Sequence, residues 1–113
     1  MTKHIILWKL KESLTPAERE TVKAGIRAGL EGLAGQIPGL VEIHVYTAGL
    51  PSSNVDLMLD SSFESPAALA GYSTHPAHLA VANAKVRPFT EQRSCFDWRR
   101  IGMIKTPSST GGG

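Results

Sequence analysis

The segment TPAE at residues 15–18 predicts the start of a helix, and it follows a run with the composition of a β-strand. Thr15 is a favourable N-cap, Pro16 fits the first helical position, and Glu18 can close a capping box. The preceding run KHIILWKLK is short and rich in β-branched and aromatic residues, which predicts a strand at about residues 3–11. The chain therefore begins as a strand followed by a helix, an order that limits the folds open to it.

The rest of the chain supplies three more predicted strands and two more helices. Apolar residues three or four positions apart extend the first helix toward Pro38: Val22, Ile26, Leu30, Leu33 and Ile37. GLVEIHVYTAG, NVDLMLDSSF and RSCFDWRR predict the strands. Cap-and-proline pairs at Ser65–Pro66 and His75–Pro76 predict the helices, the second of which runs to about Arg87. The order β-α-β-β-α-α-β favours a ferredoxin-like α+β fold, an antiparallel sheet with helices on one face.

Both faces of the first predicted strand are apolar. Alternation places His4, Ile6, Trp8 and Leu10 on one face and Ile5 and Leu7 on the other. We expect the second face to lie away from the helices, where Val41, Ile43 and Val45 of the second strand would join it. A contiguous apolar patch of this kind usually marks an interface, so the sequence predicts a homodimer that packs sheet against sheet.

Length and composition limit the class of protein. The 113 residues predict one domain at residues 1–104, followed by a flexible low-complexity tail at residues 105–113. The charge of +2 comes from scattered basic residues, so no nucleic acid is expected as a partner. No apolar run is long enough to span a membrane, and the start does not resemble a signal peptide, which favours a cytoplasmic protein. Cys95 is the only cysteine, which argues against a disulfide or a cysteine-based zinc site.

Several of these segments resemble the Dabb family, the stress-responsive α/β-barrel domains. They are KHIILWKLKES, TPAE, IPGL, FES, HPAHLAV and FDW, and they extend from about His4 to Trp98. The resemblance implies a dimeric α/β barrel. It also implies a chemistry, because a plant member of the family closes a linear polyketide by an aldol-type condensation without metal or cofactor. Its catalytic tyrosine and histidine lie in a Y..HPAH element that matches Tyr72 and His78 here, so the resemblance makes these two the catalytic candidates.

A tyrosine and a histidine suit proton abstraction next to a carbonyl group. A neutral imidazole can accept the proton, and a phenol can hydrogen-bond the oxygen on which charge develops. The alternative is a buried polar pair satisfied by backbone carbonyls. We expect a mostly apolar cavity between helices and sheet, with these candidate substrate-binding residues: His4, Ile6, Trp8, Leu57, His75, Val81 and Val86. His4 matches a pocket histidine of the family enzyme, whereas His75 is also explained as a helix-start residue.

Three classes of function remain open. The first is a cofactor-independent cyclase or lyase that acts next to a carbonyl in a polyketide-like or aromatic small molecule. The second is a non-catalytic dimeric stress-response or ligand-binding protein, and the third is a cofactor-free oxygenase. No metal site is expected, because His75 and His78 lack a nearby Asp or Glu to complete a ligand set.

Overall fold

The computed structural model describes residues 1–101 and confirms the predicted order of strands and helices. The strands are β1 (Thr2–Leu10), β2 (Leu40–Tyr46), β3 (Leu57–Phe63) and β4 (Thr90–Arg99). The helices are α1 (Pro16–Glu31), α2 (Pro66–Thr74) and α3 (Pro76–Val81), and α3 continues into a π-helical turn (Ala82–Val86) and a 3₁₀ turn (Arg87–Phe89). The predicted tail at residues 105–113 and the end of the predicted domain lie outside the described residues.

The four strands form one sheet in the order β2-β3-β1-β4, and every neighbouring pair is antiparallel. The central strand β1 places His4 opposite Ser61 of β3 on one side and opposite Asp97 of β4 on the other. Directly opposite residues share a face of the sheet, so all three side chains lie on the side of the helices. This strand order and the helices on one face are those of the predicted ferredoxin-like fold.

Helix α1 starts as predicted and ends earlier than predicted. Thr15 accepts a hydrogen bond from the Glu18 backbone N–H at 3.1 Å, and the Glu18 carboxylate accepts one from the Thr15 N–H at 2.7 Å. The apolar periodicity suggested a helix as far as Ile37, but the helix stops at Glu31 and the chain continues in turns. Gly35 has φ +81, a left-handed conformation that glycine adopts easily, and this conformation is incompatible with a continuing helix. Ile37 is nevertheless buried, so the apolar periodicity correctly predicted which residues face the core.

The core lies between the helices and one face of the sheet. Ile6 and Leu10 of β1 and Ile26 of α1 are at most 1% exposed. Gly29 allows α1 to approach α3 closely, because a Cβ atom at this position would lie 2.9 Å from Cγ1 of Val81. The first and third helices therefore pack together over the sheet with little space between them.

The second helical segment starts at the predicted caps and is less regular than predicted. The Ser65 hydroxyl caps α2 by accepting from the Ala68 N–H, and Nδ1 of His75 caps α3 by accepting from the Ala77 N–H. The helix expected to reach Arg87 is α-helical only to Val81 and then widens into the π-helical turn. Within the part of the chain that the structure describes, no helix is long and apolar enough to cross a membrane.

The open face of the sheet differs from the prediction at β2. Ile5 lies on this face as predicted, paired with exposed Phe96 of β4. Ile43 and Val45 were predicted to join it, but they are 5% and 1% exposed and pack in the core beneath the helices. Val41 is exposed at a shift in the pairing of β2 with β3, which interrupts the alternation between Leu40 and Glu42.

Candidate functional site

A cavity of about 370 Å³ lies between the second helical segment and the sheet. Its apolar walls come from the sheet, from α1 and from the π-helical turn: Ile6, Trp8, Leu30, Leu59, Ala82 and Val86. Its polar lining comes from β1, α2, α3, the 3₁₀ turn and β4: His4, Tyr72, His78, Arg87, Thr90 and Arg93. The cavity expected from the sequence therefore exists, but half of its lining residues are polar, whereas a mostly apolar cavity was expected.

The structure brings most of the predicted site residues together. These line the cavity: His4, Ile6, Trp8, Tyr72, His78 and Val86. Leu57 does not line it, because it lies in the core near the start of β3, and Leu59 on the same face lines the cavity instead. His75 is the N-cap of α3, and Val81 packs toward Gly29, so neither of them lines the cavity.

Tyr72 and His78 stack against each other in the lining of the cavity. Their ring centroids are 4.2 Å apart and their planes are tilted by 37°. Tyr72 lies on α2 and His78 on α3, and the break at His75–Pro76 allows the two short helices to present both rings to one space. Within residues 1–101, neither the Tyr72 hydroxyl nor Nδ1 of His78 has a hydrogen-bond partner, although both atoms are buried. The expected alternative, a pair satisfied by backbone carbonyls, does not describe these two atoms.

Burial sets the protonation of the pair. Burial raises the pKa of Tyr72 far above its usual range, and the positive charge of Arg93 opposes this only weakly. Burial also lowers the pKa of His78 below 6.5, although the nearby Ser73 backbone favours the charged form. Near neutral pH the pair therefore consists of a protonated phenol, which can donate, and a neutral imidazole, which can accept a proton.

His4 is held in place by a carboxylate that the sequence analysis did not identify. Its Nδ1 lies 2.5 Å from Oδ1 of Asp97, the residue directly opposite on β4. Because an ionised carboxylate only accepts, Nδ1 carries the shared proton and Nε2 is the ring nitrogen left for a ligand. Burial would raise the pKa of Asp97, but hydrogen bonds from His4 and Cys95 outweigh it and hold that pKa below its ordinary value. The FDW motif contained this residue, and only the register of β4 against β1 shows its partner.

His4, Cys95 and Asp97 are the described residues whose potential metal-ligand atoms lie close together, within 4.8 Å of one another. Hydrogen bonds account for their spacing, since the Cys95 thiol lies 3.3 Å from the Asp97 carboxylate that also binds His4. Burial and the neighbouring Asp97 raise the pKa of Cys95, so the thiol keeps its proton. A metal ion would have to displace that proton and separate the carboxylate from His4.

Two arginines complete the lining and were not among the predicted site residues. Arg87 lies in the 3₁₀ turn, and Arg93 lies on β4 directly opposite Trp8. Both side chains are exposed at the edge of the cavity, where β4 is not covered by a helix. In the sequence they were two of many scattered basic residues, and no local pattern marked them.

Solved structures of several proteins share this architecture. A dimeric protein of unknown function with a ferredoxin-like fold from Bacteroides fragilis is 27% identical, with a TM-score of 0.82, and the match covers 88% of this chain and 95% of that one. A hydroxynitrile lyase from Passiflora edulis is 17% identical, with a TM-score of 0.67 and coverage of 92% and 96%. A protein from Nitrosomonas europaea, provisionally assigned as an antibiotic biosynthesis monooxygenase, is 14% identical, with a TM-score of 0.69 and coverage of 90% and 100%. At these low identities the last two demonstrate the fold alone.

Family membership follows from the sequence itself. No curated protein matches the chain. The sequence model of the stress responsive A/B barrel domain matches residues 2–100, which include all four strands and every residue that lines the cavity. The resemblance noted in the HPAHLAV and FDW segments is thereby confirmed, and the chain belongs to the Dabb family of stress responsive A/B barrel domains.

Proposed function

We propose that this protein is a cofactor-independent enzyme of the lyase or cyclase type, acting by proton abstraction next to a carbonyl group in a polyketide-like or aromatic small molecule. One observation carries the proposal: the Tyr72 hydroxyl and Nδ1 of His78 are buried without a partner beside a cavity of about 370 Å³. Leaving a buried polar atom unpaired costs about 1–3 kcal/mol. A bound ligand that pairs with both atoms accounts for their retention.

His78 is the base of the proposed reaction, and Tyr72 is the hydrogen-bond donor. His78 is neutral because burial lowers its pKa, so a lone pair is available to remove a proton from the carbon next to the carbonyl. Tyr72 keeps its proton because burial raises its pKa, so it can donate a hydrogen bond to the carbonyl oxygen as negative charge develops there. The ring centroids of Tyr72 and His78 are 4.2 Å apart, which supports a role for both groups at one substrate.

The remaining walls position that substrate. His4 contributes its free Nε2, because Asp97 engages Nδ1. Ile6, Trp8 and Val86 supply apolar surface against which the carbon skeleton can pack. The cavity is near the lower end of the range of about 300–1,000 Å³ typical of ligand sites, which favours a small substrate.

We further propose that the protein is a homodimer assembled through the open face of the sheet. Phe96, Trp98 and Tyr46 are exposed there by 67%, 42% and 51%, next to half-buried Ile5 and Leu7. The relative from Bacteroides fragilis is described as dimeric, which supports this assembly. A stable dimer is expected to bury at least about 1,200 Å², and a monomer in sedimentation at micromolar concentration would contradict the proposal.

Exchange of α-protons in heavy water tests the chemistry without knowledge of the natural substrate. An aryl methyl ketone such as acetophenone loses its methyl protons to deuterium when a base removes them, and NMR follows the loss directly. We expect the protein to accelerate this exchange and His78→Ala to reduce the acceleration by roughly 100-fold or more, the usual contribution of a general base. Tyr72→Phe should reduce it as well, and the double variant should lose little more, because both residues serve one transition state.

Two variants control for folding and for nonspecific basic groups. His75→Asn keeps a side chain able to cap α3 and removes an imidazole that does not line the cavity, so exchange should be unchanged. Tyr46→Phe removes an exposed hydroxyl from the opposite face of the sheet. If His78→Ala folds normally and exchanges the ketone as fast as the unmodified protein, the base has been misassigned and a non-catalytic role is favoured.

A further inference from the structure

The edge of the cavity carries two positive charges and no negative one. Arg87 and Arg93 belong to its lining, whereas no Asp or Glu among residues 1–101 does. The two arginines come from different elements, the 3₁₀ turn and β4, and the fold brings them to the same opening. A site built only from the proposed base and donor does not require either of them.

Neither guanidinium forms an ion pair with the described part of the chain. None of the ion pairs formed within residues 1–101 involves Arg87 or Arg93. Arg87 hydrogen-bonds the side-chain oxygen of Asn83, which is an uncharged amide. Asp97, on the same face of β4 as Arg93, accepts from His4 and Cys95. The positive charge of Arg93 lowers the pKa of Asp97, but no ion pair among the described residues occupies either guanidinium at the mouth of the cavity.

These charges also act on the proposed catalytic pair. Burial is the main cause of the lowered pKa of His78, and the positive charges of Arg87 and Arg93 lower it further. The same Arg93 acts on Tyr72, where it opposes the effect of burial. Arg87 and Arg93 line the same cavity as Tyr72 and His78, so a ligand that fills the cavity can contact both pairs of residues.

We propose that the substrate is a small oxo-acid, whose carboxylate is bound by Arg93 and Arg87 while its ketone lies beside Tyr72 and His78. This inference rests on the proposed function. A guanidinium presents a planar pair of donors that matches a carboxylate, and a charge-assisted hydrogen bond of this kind is about twice as strong as a neutral one. The carboxylate supplies the negative charge that the lining lacks, and it fixes which end of the substrate reaches the base.

A matched pair of probes isolates the effect of the charge. 4-Acetylbenzoate and 4-acetylbenzamide have almost the same shape and the same ketone, and they differ by one negative charge. We expect titration calorimetry to show that the carboxylate binds about tenfold more tightly than the amide, in line with a charge-assisted hydrogen bond. Its affinity should also fall as sodium chloride is raised, because the arginines lie at an exposed edge.

Variants assign that preference to the two arginines. Arg93→Gln and Arg87→Gln should each weaken binding of the carboxylate probe, and together they should remove its advantage of about tenfold while binding of the amide probe stays unchanged. Arg99→Gln is the matched control, since it removes the same charge from the same strand at a residue that does not line the cavity. Arg93→Lys should retain part of the preference, because it keeps the charge and loses the planar pair of donors.

The outcomes separate this inference from the proposed function. Equal affinity for both probes, or a preference that survives Arg93→Gln and Arg87→Gln, overturns the oxo-acid assignment and leaves the cavity as a site for neutral ketones. Failure of both probes to bind also overturns it. The exchange of acetophenone, which carries no charge, then decides the proposed chemistry independently.

Discussion

The two helical layers over the sheet are built differently. Helix α1 is one continuous helix of 16 residues, closed at its start by the Thr15–Glu18 capping box. The segment from Pro66 to Phe89 covers the same face with two short helices, a π-helical turn and a 3₁₀ turn. Pro76 begins the second of these helices and Pro88 lies in the 3₁₀ turn, so prolines accompany the interruptions.

This difference in regularity matches a difference in role: α1 packs in the core, whereas the interrupted segment lines the cavity. Ile26 of α1 is fully buried in the core, and its layer leaves no comparable polar atom unpaired among the described residues. The interrupted segment supplies Tyr72 and His78 with their unpartnered atoms, and Ala82 and Val86 of its π-helical turn line the cavity. π-Helical turns occur frequently at functional sites, where they widen a helix locally. Irregular packing in this segment thus leaves the space of the cavity.

The largest expected change in stability comes from a substitution that removes packing beneath α1. Ile26→Ala should lower the free energy of unfolding by about 2–5 kcal/mol, because it deletes a side chain that is 0% exposed. Urea denaturation measures the loss, and proton exchange per folded molecule should remain unchanged. Val22→Ala, at a half-buried position one turn earlier, is the control and should lose less. If Ile26→Ala lowered the free energy of unfolding no more than Val22→Ala does, α1 would not be the main stabilising layer.

A smaller effect of opposite sign is expected in the interrupted segment. Tyr72→Phe removes a buried hydroxyl without a partner and keeps the ring, so it should raise the free energy of unfolding by up to about 1 kcal/mol while exchange activity falls. Thermal and urea unfolding of the same samples used for exchange would show both changes. Tyr46→Phe, at an exposed tyrosine, should leave stability nearly unchanged. Clear destabilisation by Tyr72→Phe would instead indicate a structural role for the hydroxyl.

The smallest effect concerns pH. Burial lowers the pKa of His78 below its ordinary 6.5, so the base stays neutral and exchange should persist at pH values somewhat below 6.5 before it declines. The unfolded chain, with the ordinary pKa, binds a proton more readily there, so the contribution of His78 to stability is complete above pH 6.5 and is lost as the pH falls. In the His78→Ala variant, the free energy of unfolding should fall less as the pH is lowered. An acid limb above pH 6.5 would contradict the burial of the imidazole.

Local chemistry explains which parts of the fold were predictable. The helices begin at Pro16, Pro66 and Pro76, as the caps before them indicated, because a cap involves atoms only a few residues apart. Tyr72 and His78 were identifiable from the family motif around them. Arg93 and Asp97 were not, because their places at the site depend on the register of β4 against β1, a contact between distant parts of the chain.

The sequence by itself determined the order of the elements, the starts of the helices, the strongly apolar strands and the family. Each of these depends on short-range preferences of the backbone or on patterns a few residues long. Tertiary structure decided which face of β2 is covered, turning Ile43 and Val45 toward the helices, since alternation defines two faces without saying which one meets the core. It also decided the cavity, its two arginines and the unpaired atoms of Tyr72 and His78, because space and missing partners exist only once separate elements have packed together.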